Sequence, residues 1–89
     1  MTLETCRQNI DKLDLQILEL LNERAQWVEK IGELKQLQNR PILDENREQH
    51  IMQELYDHNK GPLTDEAIAN IFRIIIQEGR RLQAAPRTN

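Results

Sequence analysis

Apolar residues recur at alternating steps of three and four along the first third of the chain, which is the spacing of one face of an α-helix. This N-terminal seam comprises Leu3, Cys6, Ile10, Leu13, Ile17, Leu20, Arg24, Trp27, Ile31 and Leu34. Its seventh position is a guanidinium, and an unpaired cation in an apolar seam costs several kcal/mol. No acidic residue shares the seam. We therefore expect Arg24 to meet a negatively charged ligand or, as the alternative, a glutamate of another helix.

Three helices are predicted, and the fold class is all-α. The first covers about residues 3–38 and stops before Pro41, because the residue preceding a proline disfavours helical dihedrals. The second covers about 44–58, with Asp44 as its cap, and ends at a Gly-Pro turn. The third covers about 64–84, starts at Thr64 and carries a wide isoleucine-rich face.

The first helix is too long to fold back on itself within a chain of 89 residues. At about 1.5 Å per residue it runs roughly 50 Å. We expect one helical domain over residues 1–89, in which 85–89 form a frayed tail or the start of a linker. Long helices in so small a chain need a partner to cover their apolar faces, so self-association is expected.

Composition excludes several classes of function. The net charge is −3 and the basic residues are dispersed, which argues against a nucleic-acid partner. Cys6 is a single cysteine, expected to be a small buried residue in a reducing compartment. No signal pattern or membrane-length apolar run is present, so a soluble, cytoplasmic protein is expected. His50 and His58 lack further metal ligands nearby, and no glycine-rich phosphate loop occurs, so no metal or cofactor is expected.

Two cations are predicted to face the same way along the first helix. Arg24 and Lys35 are eleven residues apart, hence about 20° apart around a helix and about 16 Å apart along it. Their long side chains can bracket one small anion. Arg7 lies about 42 Å from Lys35 along the helix, so it can join only from an antiparallel second copy. That arrangement places a two-fold axis near Ile17 and Leu18.

Each of these polar residues also has an ordinary interpretation. Arg7 and Lys35 alone are typical of solvated helix flanks, and Trp27 is expected to be a core residue rather than a ligand-stacking ring. The other ordinary interpretations are an exposed first turn for Arg47 and Glu48, a solvent-facing helix end for Gln83 and a close helix contact for Gly79. The set of residues is more informative than any member.

Taken together, the chain resembles the all-helical chorismate mutases over essentially its full length. The joint spacing of the polar positions carries the resemblance, together with the apolar positions between them. The matching stretches are Arg7-x2-Ile10-Asp11-x-Leu13-Asp14-x2-Ile17-Leu18-x-Leu20-Leu21-x2-Arg24, Ile31-Gly32-x2-Lys35, Pro41-Ile42-x-Asp44-x2-Arg47-Glu48, Ile71-Phe72-x2-Ile75-Ile76 and Gln83.

The resemblance implies an intertwined homodimer of three-helix chains that rearranges chorismate to prephenate, on the route to phenylalanine and tyrosine, without a cofactor. Each of two sites would take Arg7 from the partner chain. By analogy, Arg24 and the partner's Arg7 hold two carboxylates, Lys35 and Gln83 donate to the ether oxygen, Glu48 and the backbone at Asp44 bind the ring hydroxyl, and Arg47 supports the charge balance. Such a pericyclic step needs a held conformer and charge stabilisation, not a nucleophile.

Two positions refine the resemblance. Many members carry a small hydroxyl residue where Gly79 stands, so that contact with a substrate carboxylate is missing or replaced. The glycine with a nearby Leu-Gln pair resembles mutase domains fused to the first enzyme of the shikimate pathway, which makes such an enzyme a candidate partner. Some relatives have a glutamate at the position of Gln83, and an amide there predicts no acid-shifted optimum of activity.

Three other functions are compatible with the sequence. Isochorismate-pyruvate lyase uses the same scaffold on an isomeric substrate. A non-catalytic dimerisation or regulatory module would bind an aromatic-pathway metabolite without turnover. A plain coiled-coil adaptor would leave Arg24 unexplained.

Overall fold

The computed structural model describes residues 1–85, which form three helices and no strand. They are α1 (Leu3–Leu37), α2 (Glu45–His58) and α3 (Asp65–Ala84). The predicted all-α class and the three predicted helices are confirmed, each boundary to within one residue. The tail predicted at 85–89 lies outside the described residues except for Ala85, which caps α3 in an extended conformation.

Each helix begins where a side-chain oxygen satisfies a backbone N–H of the first turn. The oxygens of Thr2, Asp44 and Thr64 accept at 3.1, 3.0 and 3.1 Å from the N–H three residues on. Acidic residues stand in the first turn of every helix, where they complement the positive end of the helix dipole. The boundaries are therefore set by local chemistry that is readable in the sequence.

The helices do not pack as a three-way bundle. α3 packs along α1, and α2 packs on α3. The face of α1 that α3 covers contains the buried residues Val28 and Gly32. Ile31, in the N-terminal seam, is 45% exposed, and Trp27 is 62% exposed beneath the ammonium of Lys30 at 4.7 Å. Within one protomer the prediction that Trp27 is a core residue is wrong, because α3 approaches the neighbouring face of α1.

The apolar core of one protomer is very small. Among residues 1–85 only Val28 and Ile76 are buried hydrophobic side chains. Cys6 is half-buried and has no disulfide partner. The molecule measures 54 × 31 × 15 Å, and its long axis matches the length of α1, about 52 Å. None of the helices in the described part of the chain is long and apolar enough to cross a membrane.

Candidate active site

A cavity of about 400 Å³ opens where the C-terminal half of α1, the α1–α2 loop, the start of α2 and the end of α3 meet. This volume lies within the usual range of small-molecule sites, roughly 300–1,000 Å³. Six of the seven residues predicted from the sequence line it: Arg24, Lys35, Asp44, Arg47, Glu48 and Gln83. Arg7 is exposed on the N-terminal part of α1 and does not line the cavity.

Local structure explains how these residues converge. Arg24 and Lys35 project from α1 three turns apart. Asp44 is the N-cap of α2, so the residues that follow it stand in the first turn of that helix. Gln83 is in the last turn of α3. The cavity therefore lies between the middle of one helix, the beginning of the second and the end of the third.

The cavity is strongly cationic although the chain is acidic. Five cationic side chains and two carboxylates line it, so it carries a net charge of +3 in a chain of net charge −3. The cations are Arg24, Lys35, Arg40, Arg47 and Arg80, and the carboxylates are Asp44 and Glu48. A concave site with this balance attracts anions.

Arg24 is half-buried in this cavity and forms no ion pair within residues 1–85. Desolvation lowers the pKa of its guanidinium, and the positive charge of Arg47 lowers it further. An arginine stays protonated under physiological conditions even so. The structure thus holds a charge that has lost part of its hydration and has gained no protein carboxylate in return, which is the condition that a ligand carboxylate would relieve.

Lys35 and Gln83 form the neutral-to-cationic donor pair of the cavity. The Lys35 ammonium donates to the side-chain oxygen of Gln83 at 2.9 Å and to the backbone oxygen of Ile42 at 2.8 Å. An ammonium only donates, so it must face the oxygen of the amide and not its nitrogen. The amide NH₂ of Gln83 and the third N–H of Lys35 are consequently left to donate elsewhere.

Glu48 is held by a residue that the sequence analysis missed. Arg80 Nη1 donates to both carboxylate oxygens of Glu48, at 2.8 and 2.6 Å. Arg40 and Gln38 also line the cavity and were not predicted. Arg80 adjoins Gly79 on α3, and its place one turn after Ile76 on the predicted inward face is the only signal that could have identified it.

Gly79 lies on α3 beside Val28 and Arg24 of α1. A Cβ built on Gly79 would lie 3.5 Å from Val28 Cγ1 and 3.6 Å from Arg24 Nη1. Both are ordinary van der Waals distances, so the glycine is not required for helix packing. It leaves the flank of the Arg24 guanidinium without a side-chain donor, as the sequence predicts.

Fold and site together define a small all-helical domain with a cationic cavity. The chain belongs to the family described as chorismate mutase type II, which matches residues 6–84. It is 35% identical over 78 residues to a chorismate mutase of Methanocaldococcus jannaschii, covering 86% of this chain and 79% of that protein. The resemblance stated from the sequence is therefore confirmed.

Solved structures of the family have the same architecture. A chorismate mutase from Thermus thermophilus superposes with a TM-score of 0.91 at 30% identity, covering 96% of this chain and 97% of that one. A chorismate mutase from Helicobacter pylori, in complex with prephenate, superposes with a TM-score of 0.84 at 30% identity, covering 92% and 89%.

Other relatives are much longer than this chain. A bifunctional chorismate mutase/prephenate dehydratase of Neisseria gonorrhoeae is 44% identical over 72 residues, covering 81% of this chain. The chain spans about a fifth of that protein's length, 19%. Its second activity is a dehydratase, whereas the sequence resemblance indicated domains fused to the first enzyme of the shikimate pathway.

Replacing Gly79 by alanine should stabilise the protein. Alanine is favoured over glycine inside a helix by about 0.5–1 kcal/mol, and the added Cβ meets only ordinary contacts. Urea denaturation should show that gain in the free energy of unfolding. Gly61→Ala provides the contrast. The added carbon has nothing within 4 Å, but Gly61 has a φ of 76°, which an alanine adopts only with strain, so this substitution should lower the free energy of unfolding. Destabilisation by Gly79→Ala would show that the glycine is needed for packing.

Proposed function

We propose that the chain catalyses the rearrangement of chorismate to prephenate as an intertwined homodimer with two shared sites. One observation carries this proposal: a half-buried Arg24 without a protein carboxylate faces the same cavity as the Lys35–Gln83 donor pair. The cavity offers a binding site for a carboxylate and, beside it, two donors for an oxygen atom. Chorismate carries both a carboxylate and an ether oxygen. The structure of the Helicobacter pylori relative was solved in complex with prephenate.

The rearrangement needs no nucleophile and no second reactant. One ether C–O bond of the substrate breaks while one C–C bond forms within the same molecule, so no atom is gained or lost. Negative charge accumulates on the ether oxygen as the bond breaks. The free N–H of Lys35 and the NH₂ of Gln83 can both donate to that oxygen, and their mutual hydrogen bond fixes them beforehand.

The remaining cavity residues hold the substrate in its reactive conformer. We assign one substrate carboxylate to Arg24 and the other to Arg7 of the second chain, because Arg7 does not reach the cavity of its own chain. Glu48 and the backbone at Asp44 take the ring hydroxyl, and Arg47 adds positive potential. A pre-positioned conformer lowers the entropic part of the barrier, which is most of what a unimolecular rearrangement requires.

The exposed surface of the protomer supports the homodimer. Large apolar side chains along the N-terminal half of α1 are more than half exposed, with Leu3 at 66%, Ile17 at 53% and Leu18 at 55%. The accessible surface is 7662 Å², whereas a compact monomer of this size exposes roughly 5,400 Å². The excess, on the order of 2,000 Å², is the scale of an obligate interface. An antiparallel second α1 would cover this surface and bring Arg7 to the cavity.

We infer a cytoplasmic setting and a neighbouring enzyme of the same pathway. Cys6 has no disulfide partner, which is consistent with a reducing compartment. The Neisseria gonorrhoeae relative joins its mutase to a prephenate dehydratase in one protein. That arrangement supports association with an enzyme that consumes prephenate.

Lys35→Ala tests the proposed chemistry. Losing one donor to a developing negative charge costs about 3–4 kcal/mol, so kcat should fall by about 10²–10³-fold. The assay follows the loss of chorismate absorbance and identifies the product by chromatography. Lys60→Ala, in the exposed α2–α3 loop, is the matched control and should retain full activity.

Near-normal turnover by Lys35→Ala would remove Lys35 from the mechanism. Release of pyruvate from isochorismate, without prephenate formation from chorismate, would indicate isochorismate-pyruvate lyase. Thermal stabilisation by prephenate without turnover of either substrate would indicate a sensing module. A wild-type protein that sediments as a monomer would contradict the shared sites.

Subunit mixing tests whether Arg7 acts across the dimer. Arg7→Ala and Lys35→Ala should each be nearly inactive, but a mixed dimer has one site with both changes and one site with neither. Co-refolding equal amounts should therefore restore about a quarter of wild-type activity, as expected for random pairing in an isologous dimer. Mixing Lys35→Ala with Arg24→Ala is the control, since both residues belong to the same chain's site and no recovery is expected. Equal recovery in the two mixtures would refute the cross-chain role.

Gln83→Glu tests why an amide stands at the end of α3. The new carboxylate would face the Lys35 ammonium, which favours its ionised form, and an ionised carboxylate cannot donate. Activity at neutral pH should fall by about 10²-fold and recover only as the pH falls below the ordinary glutamate pKa of about 4.3, because the Lys35 ammonium holds the pKa of the new carboxyl below that value. Wild-type kcat should show no such rise on acidification. Parallel pH profiles of the two proteins would exclude Gln83 as a donor.

A further inference from the structure

The cavity contains a carboxylate, Glu48, that would compete with a ligand carboxylate for the cavity's arginines. Glu48 lines the same cavity as Arg24 and Arg47, and neither of these arginines pairs with a carboxylate within residues 1–85. A glutamate that lines a cavity with two unpaired guanidinium groups would gain a charge-assisted hydrogen bond by pairing with one of them. Such a pair would occupy the place that a ligand carboxylate needs.

The structure shows Glu48 engaged elsewhere. Arg80 binds it from α3, with Nη1 shared between the two carboxylate oxygens at 2.8 and 2.6 Å. The two side chains are 27% and 35% exposed, so solvent screens this pair less than it screens a pair on the open surface. The contact joins residues 32 positions apart and ties the first turn of α2 to the last turns of α3.

The Glu48–Arg80 contact borders two spaces. Glu48 and Arg80 also line a second cleft, on the side where α2 packs on α3, together with Met52 and Tyr56. Arg24 does not line that cleft. The Glu48–Arg80 pair thus lies between the two spaces, and Arg24 lines only the first of them.

We propose that Arg80 is a positioning residue that holds Glu48 at the cavity wall, and so keeps Arg24 free for the substrate carboxylate. The inference rests on the proposed function, because it assigns Arg24 and Glu48 to substrate binding. It gives Arg80 a role through Glu48 and no contact with the reacting atoms. The consequence is specific: Arg80 controls how tightly the substrate binds more than how fast it reacts.

Arg80→Met is the primary test, with Arg81→Met as its matched control. Arg81 is the next residue on α3, pairs with Glu78 and is 68% exposed. We expect Arg80→Met to raise KM for chorismate roughly tenfold, equivalent to about 1.4 kcal/mol, with little change in kcat. Arg80→Lys should restore most of the affinity because it keeps the charge beside Glu48. Arg81→Met should behave as the wild type.

The same substitution in a Glu48→Gln background separates positioning from other roles. A neutral amide at position 48 competes for Arg24 much more weakly than a carboxylate does, so Arg80→Met should there change KM less than twofold. A tenfold effect in both backgrounds would mean that Arg80 touches the substrate itself, and would overturn the proposal. A lowered melting temperature with unchanged KM would mean a purely structural ion pair, and would also overturn it.

Binding of prephenate, measured by calorimetry, distinguishes this inference from the proposed function. A wild type that does not rearrange chorismate would refute the function. In that case the positioning role is judged by the prephenate Kd alone, which should again weaken roughly tenfold in Arg80→Met and recover in Arg80→Lys. No weakening, or equal weakening in Arg81→Met, would refute the positioning role whatever the catalytic result.

Discussion

The half-buried guanidinium of Arg24, which pairs with no carboxylate among residues 1–85, is the constraint around which the site is arranged. Both carboxylates that line its cavity have another partner. Asp44 accepts the backbone N–H that starts α2, and Glu48 accepts from Arg80. The positive charge of Arg47 makes the cavity still less favourable for a cation without a counter-ion. Because a buried charge recovers its lost hydration only through a counter-ion, the arrangement favours a state in which a ligand supplies that counter-ion.

This arrangement destabilises the isolated protomer. A net charge of +3 in one cavity is self-repelling, and two buried hydrophobic side chains do not form a core that offsets it. The apolar surface that would offset it lies along the N-terminal half of α1, on the outside of the protomer. Covering that surface with a second copy, as proposed above, would offset the charge repulsion in the cavity by burying the exposed apolar side chains of α1.

The helices were predictable because their ends depend on local chemistry. Thr2, Asp44 and Thr64 cap the first turn whatever the neighbouring helices do. Helix α1 ends in a local turn, in which Asn39 has a φ of 54° and the Arg40 N–H donates to the Lys35 backbone oxygen at 2.8 Å. The convergence of Arg24 and Lys35 was predictable for a related reason, since both lie on one regular helix. In each case the sequence separation converts directly into a position in space.

Contacts between helices were not predictable in this way. The seam that includes Trp27 is periodic, but periodicity does not say which neighbour covers it, and α3 covers the adjacent face at Val28 instead. The Glu48–Arg80 pair depends on how α2 crosses α3, which no local pattern encodes. Both cases concern the relative placement of helices, where a rotation of one residue's spacing exchanges a buried side chain for an exposed one.

A site shared between two chains, as proposed above, would give a physical reason for the length of α1. Helix α1 would have to place Arg7 at the second cavity of a dimer and also carry Arg24 and Lys35 of its own cavity. A continuous helix of 35 residues is long enough to do both. A bend between Arg7 and Lys35 would change the distance between the two carboxylate-binding groups. An uninterrupted helix would therefore fix the separation between Arg7 and Lys35, because the rise per residue of an α-helix is constant. The apolar part of the seam between Arg7 and Arg24 would then form the dimer interface. Burying this interface would assemble the shared site in the same step.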